Sequence, residues 1–261
     1  MRKAAAASVV FVALCIFLYL SYSPTERGIE AMVSKVIDGD TIVLANGDVV
    51  RLIGIDAPEK DEPYSDAIVA ELKKLEGRTV RMEKDTTNKD RYERYLRYVY
   101  LDGHFVNLEL VQSGLAYAYS VSPDKKHERS FKEAEKLAME SGVGIWEKSE
   151  YSECVTLDKF HYNAKGDDSV NLEDEYVSIK NVCGSDVGIS GWTLRNRHSY
   201  YKIPEFRMVG GSTVRIVTGN GTKSDSSIFL SQKMPMWSNK EDSMYLIDGR
   251  GRVVLEKSYR N

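Results

Sequence analysis

Clusters of acidic residues end two neighbouring apolar segments near the start of the chain, and no other feature restricts its chemistry as strongly. Residues 38–41 read Asp-Gly-Asp-Thr, and residues 55–59 read Ile-Asp-Ala-Pro-Glu. Taken singly, the first motif is typical of a turn, and the second of a strand that Pro58 ends. Crowded carboxylates cost free energy unless a cation lies among them, so two such clusters on adjacent strands favour a metal site. Carboxylate oxygens are the ligands that hard divalent cations prefer.

Apolar spacing predicts alternating strands and helices from residue 32 onward. The expected strands are 32–37, 41–44, 49–53, 79–83 and 95–101, and the expected helices are 65–76, 106–113 and 127–141. Asn46-Gly47, between the second and third strands, is typical of a tight hairpin. Five strands with three helices predict a small closed α+β barrel of the OB type, a fold that binds oligonucleotides.

The sequence changes in character after Trp146. Short alternating apolar runs recur at 176–180, 192–194, 213–217, 243–247 and 253–255, with glycines between them. This spacing predicts a separate all-β domain, in which Trp192 and Trp237 belong to the core. The acidic run 167–175 is typical of a solvated loop, with calcium binding as the alternative.

Charge is not concentrated enough to bind nucleic acid by itself. The chain carries a net charge of −3; residues 24–150 sum to −6 and residues 151–261 to +1. A basic face is therefore excluded, and any contact with phosphate must come from a few local arginines. Arg51 lies between the acidic motifs, and Arg91, Arg94 and Arg97 follow later. Because these three recur at every third residue, a strand can direct at most one or two of them to one site.

An apolar run covers residues 4–22, after Arg2 and Lys3. Its length of about 19 residues is close to that of a membrane-spanning helix, and the basic start places the rest of the chain outside the cytoplasm. We therefore predict a signal anchor over residues 1–23 and membrane-anchored extracytoplasmic domains. A cleaved signal peptide, which would give a secreted protein, is the alternative.

Cysteine usage agrees with an extracytoplasmic location. Cys15 lies in the apolar run, which leaves Cys154 and Cys183 in the C-terminal half. One disulfide and two separate thiols are both open on the sequence alone. The chain has no Cys-x-x-Cys spacing, so a zinc site is not expected.

Residues 30–148 resemble the thermonuclease (staphylococcal nuclease-like) family. The matching motifs are Asp-Gly-Asp-Thr at 38–41, Arg-Leu-x-Gly-Ile-Asp-x-Pro-Glu at 51–59, Asp-Arg-Tyr-x-Arg at 90–94, and a helical tail at 127–148. The resemblance implies one Ca²⁺ ion, held by the carboxylates of Asp40 and Asp56 and by the backbone carbonyl of Ala57. It also implies hydrolysis of phosphodiester bonds in single-stranded or unpaired DNA or RNA, leaving 3′-phosphate ends.

The same resemblance assigns roles to further residues. Glu59 corresponds to the family's glutamate, which suits a general base, and Arg51 and Arg94 correspond to its phosphate-binding arginines. Tyr64 and Tyr119 fall where family tyrosines contact a bound nucleotide. Residue 93 departs from the pattern, because many members have glycine there; Glu93 could lower activity or pair with Arg97.

Residues 155–261 resemble a lamin-tail domain, which implies an immunoglobulin-like sandwich. The resemblance rests on the stretches 175–181, 189–195, 214–221, 235–239 and 242–248. No catalytic cluster is visible in this half, so we expect it to bind a ligand that the sequence does not identify. The chain is thus predicted to be a calcium-dependent nuclease tethered outside the membrane. The alternative is a catalytically inactive surface protein that binds nucleic acid or protein, and the joint presence of Asp40, Arg51, Asp56, Glu59 and Arg94 argues against it.

Overall fold

The computed structural model of the protein describes residues 28–196 and 199–261. The apolar run that predicts a membrane anchor lies outside the described residues. Among the residues that are described, no helix is both long and apolar enough to cross a membrane.

The N-terminal domain is a closed five-stranded barrel. Its strands are β1 (Ile29–Val36), β2 (Thr41–Leu44), β3 (Val49–Leu52), β5 (Thr79–Glu83) and β6 (Tyr95–Leu101). They pair in the order β3-β2-β1-β5-β6, and a parallel pairing of β3 with β6 closes the barrel. Three short strands flank it: β4 (Gly54–Asp56), β7 (His104–Phe105) and β8 (Tyr117–Tyr119). The predicted OB-type barrel is therefore confirmed.

Three α-helices pack on the barrel, as the sequence predicts. They are α1 (Ser65–Leu72), α2 (Val106–Gln112) and α3 (Glu128–Ser141). Helix α1 is shorter than expected, because its last turn tightens into a 3₁₀ helix over Lys73–Leu75 before Gly77 adopts a φ of +75°. The fully buried side chains of Ile68, from α1, and Phe131, from α3, help to fill the core beneath.

The C-terminal domain is built from two four-stranded sheets around one apolar core. The first sheet contains β9 (Val155–His161), β10 (Tyr176–Asn181), β15 (Thr213–Val217) and β16 (Ser227–Phe229). The second contains β12 (Thr193–Arg195), β13 (Tyr200–Lys202), β17 (Glu241–Ile247) and β18 (Val253–Arg260). A two-stranded sheet pairs β11 (Val187–Gly188) with β14 (Arg207–Met208). Trp192 and Trp237 are both buried in the core, as predicted.

Two features of this domain were left open or unresolved by the sequence. Cys154 and Cys183 form a disulfide, with their Cα atoms 5.0 Å apart. Because the two cysteines are 29 residues apart, loop closure of this size contributes about 3 to 4 kcal/mol to stability.

Within the acidic run, Glu175 is fully buried and accepts hydrogen bonds from the backbone N–H groups of Met236 and Trp237. That carboxylate therefore connects the start of β10 to the segment of Met236 and Trp237, and it is not solvated.

The two domains share a small core of their own. Tyr117, Ile145 and Trp146 of the first half pack against Tyr245 and Ile247 of β17. The connecting residues are also fixed to the second domain. The backbone of Val253 donates to Glu147 and accepts from Ser149, and the Ser149 hydroxyl donates to Asp248 at 2.7 Å. The interface therefore combines an apolar cluster with a short strand-like pairing.

Candidate active site

Barrel closure brings distant parts of the sequence to one rim. Asp40 directly precedes β2, and Thr41 lies opposite Arg51 in the antiparallel pairing of β2 with β3. Arg94 directly precedes β6, whose first residue pairs with Val50 where the barrel closes. These positions therefore meet at the end of the barrel where β2 and β6 begin.

The second acidic motif reaches the same rim from β4. Asp56 ends this strand, and its backbone pairs with Tyr117 of β8. A cleft at the rim is lined by predicted catalytic and metal-binding residues: Asp40, Arg51, Asp56, Ala57, Glu59 and Arg94. Residues from three separate sequence motifs thus line one cavity.

Arg51 organises the acidic side of the cleft. Its Nη2 atom is 2.9 Å from Oδ2 of Asp40 and 4.0 Å from Oδ1 of Asp56. The same atom also donates to the carbonyl of Ile55 at 3.2 Å. Both carboxylates that the sequence nominates as metal ligands therefore lie within reach of a single guanidinium group.

Asp40 is an unfavourable place for an isolated negative charge. Burial raises the pKa of its carboxyl to about 6, against the lowering effect of Arg51, and the nearby Asp38 and Asp56 raise it further. A cation beside Asp40 would relieve both the desolvation and the repulsion. Hard oxygen donors at this point suit calcium. Within the described residues, no three Asp, Glu, His or Cys side chains converge as a metal-binding group; the set predicted here is two carboxylates and the Ala57 carbonyl.

Glu59 projects from the loop that follows β4 and is exposed at the cleft. Partial burial raises its pKa, and the negative charges of Asp56 and Glu62 act in the same direction. A raised pKa makes a carboxylate a better proton acceptor near neutral pH than an ordinary surface glutamate. The position and electrostatics of Glu59 therefore suit a general base.

Arg94 is held in place by its own turn. Both Nε and Nη2 lie 2.8 Å from Oδ2 of Asp90, and Nη1 donates to the hydroxyl of Thr41 at 3.3 Å. Thr41 in turn donates to Asp40 at 2.8 Å, so a hydrogen-bond chain links the arginine with the acidic pocket. Of the three arginines spaced along this segment, Arg94 alone is among the residues that line the cleft.

The neighbours of Arg94 explain two observations from the sequence. Glu93 has a φ of +65°, a left-handed conformation that glycine adopts at little cost, which agrees with the glycine that the family resemblance implies at this position. Its side chain pairs with Lys89 at 3.3 Å, so the suggested pairing with Arg97 is wrong. Arg97 is buried and donates to the side-chain oxygen of Asn88 at 2.8 Å. It therefore supports the turn and does not face the cleft.

The two tyrosines predicted to contact a nucleotide lie beside the cleft. Tyr64 caps helix α1, packs against the interdomain core and donates to Glu147 at 3.3 Å. Tyr119 lies on β8, where its backbone pairs with Gly54. Its side chain lines a neighbouring groove between the domains, together with Lys240 of the second domain. Contact of either ring with a nucleotide stays a prediction.

Sequence reasoning missed three residues that shape this site. Thr41 and Asp90 orient Asp40 and Arg94, and both belong to the quoted motifs, so their position could have drawn attention. Arg195 of the C-terminal domain also contacts Asp56. Nothing in its local sequence signals that role, because the contact spans 139 residues.

Two family models match the chain. The model of the Staphylococcal nuclease homologue family matches residues 49–148, and the model of the Lamin Tail Domain family matches residues 119–261. The second match covers more than half of the chain. The two matches overlap over residues 119–148, which include the helix and the tryptophan at the domain interface.

Comparison with curated proteins decides the family of the first domain. The chain is 38% identical to a thermonuclease of Staphylococcus intermedius over 136 residues, which cover 48% of this chain and 81% of that protein. It is 36% identical to an uncharacterized endonuclease of Haemophilus influenzae over 138 residues, which cover 51% and 74%. The chain belongs to the staphylococcal nuclease family. Its nuclease domain is followed by a lamin-tail domain, and the protein is a nuclease of the hydrolase class.

A thermonuclease of Staphylococcus hyicus is 35% identical over 124 residues, which cover 44% of this chain and 73% of that protein. Each of these three alignments covers about half of the chain or less. The family resemblance of the nuclease domain is therefore confirmed, and so is that of the lamin-tail domain.

Proposed function

We propose that this nuclease requires calcium and hydrolyses single-stranded or unpaired DNA or RNA. The observation that supports this most directly is the convergence of Asp40, Asp56, Glu59, Arg51 and Arg94 on one cleft. The arrangement combines an acidic pocket, a candidate base and two guanidinium groups within one concave surface. Such a combination suits phosphodiester hydrolysis better than passive binding, which needs no base.

Asp40, Asp56 and the carbonyl of Ala57 would hold the calcium ion, which supplies Lewis-acid polarisation of a phosphate oxygen when bound. Glu59 accepts the proton of the attacking water. Arg51 and Arg94 donate hydrogen bonds to phosphate oxygens as negative charge develops there. Asp90 and Thr41 keep Arg94 aimed at the cleft, which lowers the entropic cost of this contact. By analogy with the family, cleavage on the 5′-oxygen side leaves a 3′-phosphate.

Calcium removal tests this proposal. We expect the purified protein to degrade single-stranded DNA in calcium, to lose that activity in excess chelator, and to regain it when calcium is restored. Magnesium is expected to support little turnover. Equal cleavage in chelator and in calcium would show that the acidic pocket does not hold a required metal.

Calcium binding should weaken as the pH falls through about 6. The pKa of Asp40 lies near this value in the folded protein, above the ordinary 3.8, so a proton competes with the cation for the carboxylate. Between these values the metal-free folded state holds a proton that the unfolded chain releases, so ionised Asp40 opposes folding above pH 6. Bound calcium should therefore raise Tm most at pH 7.5, and progressively less below pH 6.

Thermal unfolding with and without calcium across this pH range measures the effect. The Asp40→Asn variant is the control, because position 40 then neither titrates nor supplies a charged ligand. A calcium-induced rise in Tm that stays constant from pH 7.5 to pH 5 would contradict the assignment of Asp40.

We further propose that residues 1–23 anchor the protein in a membrane, with both domains on the outer side. The basic start and the apolar run support this orientation. Protease added to intact cells should then remove both domains and leave a short anchored stub. Soluble protein that begins near Ser23 would indicate a cleaved signal, and domains that survive the protease would overturn the orientation.

The lamin-tail domain is proposed to be an immunoglobulin-like sandwich that binds a ligand at the cell surface. Its two four-stranded sheets and their shared core support the sandwich. The nuclease would thereby be held near material that the second domain recognises.

A further inference from the structure

Arg195 of the lamin-tail domain reaches into the nuclease domain. It lies on β12, between β13 and β17, and its guanidinium bonds to two carboxylates of the other domain. Nη1 donates to both oxygens of Glu62, at 3.1 and 2.9 Å, and Nη2 donates to Oδ2 of Asp56. The side chain of Arg195 is 4% exposed and that of Glu62 is 5% exposed, so this contact is buried between the domains.

The guanidinium approaches Asp56 from outside the cleft. Asp56 lines the cleft, whereas Arg195 is not among its lining residues. Arg195 bonds to Oδ2, and the other oxygen, Oδ1, lies 4.0 Å from Arg51. Arg195 thus holds Oδ2 of Asp56 from outside the cleft, while Oδ1 faces Arg51 and Asp40 inside it. This arrangement orients a carboxylate without filling the pocket.

The same guanidinium acts on the loop that carries Glu59. Glu62 accepts a hydrogen bond from the backbone N–H of Glu59 at 2.9 Å, and its own N–H donates to the Glu59 carbonyl at 2.7 Å. Arg195 holds Glu62 through both carboxylate oxygens. The backbone of the candidate base is therefore connected to the lamin-tail domain through one buried ion pair.

Aromatic packing fixes the guanidinium itself. Its central carbon lies 4.1 Å from the centroid of the Tyr117 ring, and Tyr117 pairs through its backbone with Asp56. The planar fork contacts two carboxylates and one ring together, which a lysine ammonium group cannot reproduce. The contact thus joins β12 of one domain to β4, β8 and the loop after β4 of the other.

We propose that Arg195 is a positioning residue of the nuclease site, which orients Asp56 directly and Glu59 through Glu62. The lamin-tail domain would then complete the catalytic site, in addition to binding any ligand of its own. This inference rests on the proposed calcium-dependent hydrolysis. Partners in the outer shell of a metal site commonly change affinity or activity by about 10- to 100-fold when removed.

Variants of the full chain test the proposal, with Arg195→Gln/Glu62→Gln as the main one. The double change avoids a buried unpaired carboxylate, which would otherwise threaten folding. Arg195→Lys is the conservative variant. Lys202→Gln is the matched control, because the Lys202 ammonium, which also belongs to the lamin-tail domain, donates to the backbone carbonyl of Asp61 in the same loop, at 3.2 Å.

The readouts are kcat on single-stranded DNA, the calcium concentration for half-maximal activity, and calcium binding by calorimetry. We expect the double variant to lose about 10-fold or more in kcat and to need about 10-fold more calcium. Arg195→Lys should lie between the double variant and the wild type, and Lys202→Gln should match the wild type. The double change removes one positive and one negative charge and leaves the net charge unchanged, and Arg195→Lys keeps the positive charge. Weaker calcium binding in both variants therefore separates positioning from simple electrostatics.

Three outcomes would overturn the proposal. In the first, the double variant has wild-type kcat and calcium dependence. In the second, it binds calcium more tightly at unchanged kcat, which would make Arg195 only a competing charge. In the third, Lys202→Gln shows the same losses as the double variant, which would indicate general damage to the interface. A wild-type protein that binds calcium but does not cleave would contradict the proposed function alone, and the calorimetry would still decide the role of Arg195.

Discussion

Replacing Glu59 by glutamine is expected to lower kcat by about 10² or more, the range for a positioned general base. Glutamine keeps the size and the hydrogen-bonding shape of the side chain but cannot accept a proton from water. Folding should be unaffected, because Glu59 is exposed and its backbone, not its side chain, makes the hydrogen bonds to Glu62. Single-turnover cleavage of DNA at saturating calcium measures the effect.

Asp61→Asn is the matched control for this variant. Asp61 lies two residues further along the same loop and is exposed, and its backbone carbonyl accepts a hydrogen bond from Lys202 of the second domain. This change removes one negative charge near the cleft and should leave kcat within about twofold. Turnover by Glu59→Gln close to that of the wild type would exclude Glu59 as the base.

The Arg94→Ala variant should lose a factor of about 10² to 10³ in kcat, as expected when a preorganised donor to a developing charge is removed. Its side chain is 28% exposed, and its guanidinium is held by Asp90 and Thr41, so little reorganisation is needed when phosphate binds. The loss should appear mainly in kcat and less in KM, because the contact strengthens as charge develops. A comparison of both constants, with Tm as a check on folding, measures this.

Arg91→Ala provides the comparison for Arg94. Arg91 belongs to the same turn, and its guanidinium contacts the hydroxyl of Tyr92 at the surface. The same change in side chain and charge should leave activity nearly unaltered there. Equal losses in the two variants would mean that bulk positive charge, and not the aim of Arg94, supports activity.

The sequence predicted the barrel and most of its cleft because both depend on local patterns. Strand periodicity, the Asn46-Gly47 turn and the acidic ends of two strands are all legible over short windows. The observed pairing of β2 with β3 and of β3 with β6 then places Asp40, Arg51 and Arg94 together. Of the eight strands that the structure describes before residue 150, the five of the barrel were expected, and the missed β4, β7 and β8 have two or three residues each.

The C-terminal half was harder to predict in detail. Strand β9 was not expected, because its burial alternates poorly, and β18 runs to Arg260, beyond the apolar residues that mark its start. Pairing with a neighbouring strand stabilises both segments, and pairing partners are not encoded locally. The disulfide likewise depends on the fold, which brings Cys154 and Cys183 together.

Contacts between the domains could not be predicted at all. Arg195 and Glu62 look like ordinary surface charges in their own segments, and their burial appears only when the domains are assembled. The same holds for Trp146, which reads as the end of a helical tail but packs against Tyr245. Long-range pairs of this kind carry no periodic signal that a single sequence reveals.

The backbone hydrogen bonds of Glu147 and Ser149 with Val253 restrict movement at the junction between the domains. Together with the aromatic cluster beside them, they hold the two domains in one relative orientation. If the lamin-tail domain binds a fixed surface, the opening of the cleft must face one direction at a constant distance from that surface. The enzyme would then cleave only nucleic acid that reaches the cleft at this distance. The lengths of the fragments would therefore depend on how far a polymer held near the surface can extend to the cleft.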